Sequence, residues 1–147
     1  EGDASVAPVE RRVMRPVEPL RRVAALYVEP KGCYVGVPGV DPWDEARDAR
    51  RYAGPHPVVA HPPCARWSQM NNVNAKRWGF KLGQDGGCFA SALASIRRWG
   101  GVLEHPAHSR LFDAAGLPKP AQRDGDLFTV PVLQAWWVLL SGSRRRA

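Results

Sequence analysis

The apolar positions of this chain fall in short blocks separated by proline, glycine and polar runs, a pattern of short strands and brief helices. Val23-Ala24-Ala25-Leu26-Tyr27-Val28 and Pro57-Val58-Val59-Ala60 are continuous apolar runs of strand length, which predicts buried strands. Cys33-Tyr34-Val35-Gly36-Val37 reads as another short strand, stopped by Pro38-Gly39. Asp44 to Tyr52 reads as helical, with Asp41 or Asp44 near its positive amino end. Asn71 to Gly87 is polar and glycine-rich and predicts a mobile loop. The clearest helix is Cys88 to Trp99: Phe89, Ala92, Leu93, Ile96 and Trp99 repeat at helical spacing, and Gly100-Gly101 closes it. Val102-Leu103 then leads as a strand to Glu104. Strand, helix and strand from Val58 to Leu103 make a βαβ unit, which implies parallel strands and a right-handed crossover. Ser109 to Ala115 predicts a short helix before Gly116 and Pro118. Leu127 to Leu140, with Trp136-Trp137, admits a strand and a helix, or a segment that depends on a partner.

These elements predict an α/β fold: a small, incomplete Rossmann-like parallel sheet with flanking helices. Residues 1–22 lack periodicity, carry Pro8, Pro16 and Pro19, and read as a flexible basic arm. Residues 23–120 form the expected core, and residues 121–147 a C-terminal segment of open structure with a basic tail. The chain contains no internal repeat.

Composition narrows the classes. The length of 147 residues is that of one ordinary domain, and a 44% hydrophobic fraction is enough for a core. No run approaches the roughly 18 to 20 apolar residues of a membrane span, since Leu127 to Leu140 is interrupted by Pro131 and Gln134. No continuous apolar stretch near the amino end reads as a signal peptide, and the start at Glu1 rather than Met reads as trimmed or fragmentary. The three cysteines make no disulfide framework and read as reduced thiols, so a cytoplasmic setting is expected. The net charge of +7 raises the expectation of a polyanionic partner. Arg11-Arg12 with Arg15, Arg21 and Arg22, and Arg144-Arg145-Arg146, are end clusters that read equally as solvated tails. Arg97-Arg98 and Lys76-Arg77 are the better phosphate contacts.

The most specific chemistry lies in His61-Pro62-Pro63-Cys64-Ala65-Arg66-Trp67-Ser68. Two prolines stiffen the backbone and stop the strand, so Cys64 sits just past its carboxyl end, where open α/β sheets place their ligands. Gly101-Val102-Leu103-Glu104-His105-Pro106 repeats the design, with a polar residue and then a proline stop. The thiolate is the reactive form of cysteine, and Arg66, with His61, supplies positive charge nearby. A nucleophilic Cys64 and an acidic Glu104 on adjacent strand ends suit attack on a heterocycle with protonation of its ring nitrogen.

The run "PPCARWS" resembles the catalytic-loop motif of DNA cytosine-5 methyltransferases, and "GVLEHP" resembles their next motif, an apolar strand ending in glutamate-asparagine-valine. The two sites are 40 residues apart (104 − 64), with a helix between, as in that family. "VDPWDEARDARRY" resembles the family segment in which an acidic residue holds the cofactor ribose and a tryptophan packs on the adenine. The chain also looks like short, phage-encoded relatives of that family. The resemblance, covering roughly residues 24–117, implies that Cys64 attacks C6 of a flipped cytosine, Glu104 protonates N3, and C5 accepts a methyl group from S-adenosylmethionine. It implies Asp41, Trp43 and Asp44 at the cofactor, Ser68 ordering the loop, Arg66 on phosphate, DNA as the partner, and a bacterial or phage-infected cell as the setting. The chain departs from the family in lacking the phenylalanine-x-glycine-x-glycine motif after the first strand, where Tyr27-Val28-Glu29-Pro30-Lys31-Gly32 stands. Ala65 and His105 replace a glutamine and an asparagine, and no target-recognition domain follows. A partner chain completing the cofactor or target site fits those gaps.

Other readings stay open. Cys64 alone reads as a small residue in a turn, Glu104 as a turn cap or arginine partner, and Trp43-Asp44 as the beginning of a helix. Trp67, Trp78 and Trp99 read as core or loop anchors. His61-x-x-Cys64 and His105-x-x-His108 form two ligand pairs of zinc type, although no strong finger spacing is present. A noncatalytic nucleic-acid-binding or accessory module with a vestigial site is the competing function.

Overall fold

The computed structural model describes residues 22–119, 122–132 and 135–140; the expected basic arm and the Arg144-Arg145-Arg146 tail lie outside them. Seven strands form one sheet: β1 (Val23–Leu26), β2 (Val40–Trp43), β3 (Val58–Ala60), β4 (Gly101–Pro106), β5 (Arg123–Asp124), β6 (Leu127–Val132) and β7 (Ala135–Leu140). Their order across the sheet is β2-β1-β3-β4-β7-β6-β5. The first four are parallel, and β7, β6 and β5 add an antiparallel extension. The predicted α/β class and the parallel β3–helix–β4 unit are therefore present.

Helix α1 spans Asn71–Trp78, α2 Cys88–Trp99 and α3 Leu111–Ala114. In α2 the expected face is buried: Phe89, Ala92, Leu93 and Ile96 enter the core, and Trp99 packs against its margin. This helix lies on β3, β4 and β7. Ala24, Ala25, Leu26, Ala60 and Leu103 are fully buried, as the continuous apolar runs of interior parallel strands require. Leu111 and Phe112 of α3 close the same core, each at most 1% exposed.

Four local expectations differ from the structure. Cys33 to Val37 forms turns, not a strand: Cys33, Val35 and Val37 are exposed, so its apolar residues have no face to bury. The partner of β1 on that side is Val40–Trp43, paired from Val23↔Val40 to Leu26↔Trp43. Asp44 to Tyr52 is turn followed by a single 3-10 turn at Ala49–Arg51, because Asp48 adopts a left-handed conformation (φ 54°) that a continuous helix excludes. The segment after Ser68 contains α1, ended by Gly79 at φ 70°. The described residues from Leu127 to Leu140 form the two strands β6 and β7 where a strand and a helix were an open alternative; β7 gains six paired residues against β4 and six against β6, which decides the conformation of an aromatic and aliphatic segment.

Candidate functional site

Parallel pairing sets the site. Val58↔Gly101, Val59↔Val102 and Ala60↔Leu103 are in register, so the next residues, His61 and Glu104, meet at the carboxyl edge. His61 Nδ1 lies 3.1 Å from Glu104 Oε2, and both side chains are 27% exposed. On its other side, His61 Nε2 lies 2.7 Å from the Tyr34 hydroxyl. Burial raises the Tyr34 pKa above its ordinary value, helped by Cys33 and Glu104, so the phenol keeps its proton.

Cys64 is exposed and opens the 3-10 turn Ala65–Trp67, its carbonyl accepting from the Trp67 amide at 2.9 Å. Trp67 pins this turn. Its indole donates to Asp85 Oδ2 at 2.9 Å, its ring meets Phe89 edge-on, and its carbonyl accepts from the Arg110 amide. Cys64 lines a cavity of about 510 Å³ with Ser68, Met70, Pro106, His108 and Ser109. Glu104 is not among that cavity's described walls. The thiol and the carboxyl group thus share the carboxyl edge of neighbouring strands, with Cys64 opening toward Pro106, two residues beyond Glu104.

A larger cleft of about 690 Å³ lies at the ends of β1 and β2, next to the β1/β3 point where strand order reverses, and reaches Pro63, beside Cys64. Its polar walls are Tyr27, Glu29, Asp44, Glu45, Asp48 and Arg50, with Cys88. Such a switch point is where open α/β sheets bind ligands. Tyr27 makes the bend after β1 at φ 61°, a left-handed turn made without glycine. Burial pushes its phenol up to about 12, and burial together with Asp85 pushes the Cys88 thiol up against the pull of Arg50.

Of the cofactor residues expected from sequence, Asp44 lines this cleft, whereas Asp41 and Trp43 are not among its walls. Asp41 accepts from the Trp43 indole at 2.8 Å and pairs with Arg47 at 2.6 Å. Burial acts to raise its carboxyl pKa, but these hydrogen bonds outweigh it and hold the group below the usual range. The Arg47 guanidinium covers the Trp43 ring at 4.0 Å, and the ring meets Tyr52 edge-on. Arg66 stacks on Phe80. Ser68 Oγ accepts from the Met70 amide at 3.1 Å, ordering the loop beside Cys64. Arg97 and Arg98 occupy the last turn of α2, which leads into β4 beside the start of β3; the structure places them at the opposite end of the sheet from Cys64.

His105 is fully buried against Phe112, and among the described residues neither ring nitrogen has a hydrogen bond of good geometry. Burial lowers its pKa, opposed by the Glu104 carboxylate and the Pro63 carbonyl. Among the described residues no three His, Cys, Asp or Glu side chains are grouped to hold a metal ion, so the two zinc-type pairs do not converge. No helix among the described residues is long and apolar enough to cross a membrane.

Tyr34, Glu29, Asp48 and Arg50 carry no sequence signal that marks them as functional, and His61 reads in sequence as a nearby charge or as half of a zinc-type pair. The equal offset of His61 and Glu104 from Val58 and Gly101, the first residues of two paired strands, is the signal that points to His61. Comparison of the chain with known protein families, with curated proteins and with solved structures gives no match.

Proposed function

We propose that this chain is a DNA cytosine-5 methyltransferase-like protein built on a small, incomplete Rossmann-like sheet. The observation that carries the reading is the in-register β3–β4 pair, which sets Glu104 at the carboxyl edge with exposed Cys64 just beyond the neighbouring strand. Cys64 Sγ adds to C6 of a cytosine extruded from the stack, and Glu104 donates a proton to N3. The resulting electron-rich C5 takes the methyl group, transfer of the C5 proton to water expels the thiolate, and N3 returns its proton to Glu104. S-adenosylmethionine, when bound, supplies an electrophilic methyl group. The cleft of about 690 Å³ is of ligand-binding size, and its carboxylates Glu29, Asp44 and Asp48 suit ribose hydroxyls and a cationic sulfonium. Ser68 holds the Cys64 loop, and Arg66, two residues from Cys64, is the candidate for a phosphate contact.

The test is covalent trapping on DNA carrying 5-fluorocytosine with S-adenosylmethionine. Wild type forms a denaturant-resistant adduct, Cys64→Ser forms none, and Glu104→Gln forms it about 10² to 10⁴ times more slowly. Folded wild type that gives no adduct overturns the reading.

The second reading is a noncatalytic nucleic-acid-binding or accessory module. It is favoured by the bend at Tyr27 in place of a glycine loop and by the separation of Glu104 from the cavity of Cys64. It predicts salt-sensitive DNA binding indifferent to Cys64→Ser and no heat of S-adenosylmethionine binding in calorimetry.

A further inference from the structure

We propose that Tyr34, His61 and Glu104 form a proton-ordered clamp in which His61 holds Glu104 Oε2 and leaves Oε1 as the atom presented to the substrate ring, with Tyr34 fixing the tautomer of His61. The role of the presented oxygen rests on the methyltransferase reading; the clamp itself does not. His61 and Tyr34 are positioning residues, acting on the reaction through Glu104.

The chain of bonds allows one consistent assignment at neutral charge on the imidazole. An unprotonated carboxyl oxygen only accepts, and Oε2 is unprotonated both in the ionised group and in the acid that holds its proton on Oε1, so the 3.1 Å contact requires a proton on His61 Nδ1. A neutral imidazole then has Nε2 as acceptor, and the Tyr34 hydroxyl at 2.7 Å must donate to it. A tyrosine whose own proton is held tightly by burial serves this purpose. The contact with His61 is made at Oε2, so that oxygen is the anchored one and Oε1 is the one assigned to the substrate. Tyr34 and His61 also wall a cavity of about 390 Å³ at the ends of β1 and β3, which connects the clamp with the switch point of the sheet. Tyr34 stands on a run of turns, not on the sheet, so its docking to His61 couples the conformation of the 30–36 segment to the orientation of Glu104.

The experiment has two readouts on the full chain. In the first, the histidines are labelled with ¹⁵N and long-range ¹H–¹⁵N spectra are recorded at about pH 9, above the ordinary imidazole range. His61 shows a protonated Nδ1 and an unprotonated Nε2 in wild type. Glu104→Ala shifts it toward the Nε2-protonated form, and Tyr34→Phe gives a mixture. A wild-type His61 protonated at Nε2, or a signature unmoved by Glu104→Ala, overturns the clamp. In the second, adduct formation on 5-fluorocytosine DNA slows about 10²-fold in His61→Leu with DNA affinity unchanged, as expected when an acid is misplaced by about 1 Å. His61→Gln, which keeps a donor toward Oε2, recovers part of the rate. An unchanged rate in His61→Leu overturns the positioning role; if that variant does not fold, an unchanged rate in Tyr34→Phe does so. Wild type without adduct but with the expected tautomer overturns the methyltransferase reading and leaves the clamp standing.

Discussion

His105 carries the clearest pH signature at the level of a single side chain. It is fully buried, and burial lowers its pKa from 6.5. The neutral form is therefore favoured in the folded state. Its contribution to stability is complete above the unfolded value and is lost as pH falls through the lower folded value. Chemical denaturation of wild type should show stability declining below about pH 6.5, and His105→Leu should flatten that part of the profile. An identical profile in the variant contradicts this assignment. The neighbouring residues show what a sequence can and cannot give. The place of Cys64 just past β3 is readable, because prolines stop strands and apolar runs fill them; Glu104 reads as a strand end, but β4 runs on to Pro106 because β7 pairs with its last residues. The place of Tyr34 is not readable, because its partner His61 lies 27 residues away and the contact depends on turns that carry no periodic signal. Arg97 and Arg98, expected as phosphate contacts, lie at the other end of the sheet from Cys64, a separation that follows only from the direction in which α2 crosses the sheet.

Among the elements, the β3–β4 contact and the start of α2 bear most on the site. Gly101 has φ 129°, and a Cβ there collides with the Val58 carbonyl and amide. Gly101→Ala must either spread the two strands that align His61 with Glu104 or strain the backbone. A loss of roughly 3 kcal/mol or more in denaturant unfolding is expected, with weaker trapping. At the beginning of α2, Asp85 accepts from the Phe89 amide at 3.0 Å, the Gly87 amide at 2.9 Å and the Trp67 indole at 2.9 Å. One carboxylate therefore caps the helix and anchors the Cys64 turn. Asp85→Ala should cost about 1 to 2 kcal/mol, measured by thermal unfolding, and should also make Cys64 react differently with a thiol reagent. A purely local cap would change the first and leave the second alone. Helix α2 was legible from its spacing, and β1, β3 and β4 from their apolar runs. The conformation of Asp44 to Tyr52 was not, because helical spacing in a nine-residue window says nothing of the left-handed turn at Asp48.

The whole molecule combines a parallel half, which holds the candidate chemistry, with an antiparallel half built from a segment whose conformation its own sequence left open. Strand β7 has its place because β4 offers a free edge, and such long-range pairing is invisible to a local window. The charge of +7 is likewise a property of the entire chain. DNA affinity should fall linearly on a log–log plot against salt, and removal of residues 144–147 should lower the slope by up to about 3, one unit per lost phosphate contact. A slope that survives removal assigns those contacts to residues on the folded body. The two borders of the sheet have a further consequence. On one side lies β2, with Pro42 in its middle; on the other lies β5, only two residues long, with the charged pair Arg123-Asp124. A proline offers no N–H to an incoming strand, and two residues give little for one to hold. Both margins therefore resist the edge-to-edge stacking that leads to aggregation, so copies of this chain at high local concentration keep their sheets apart.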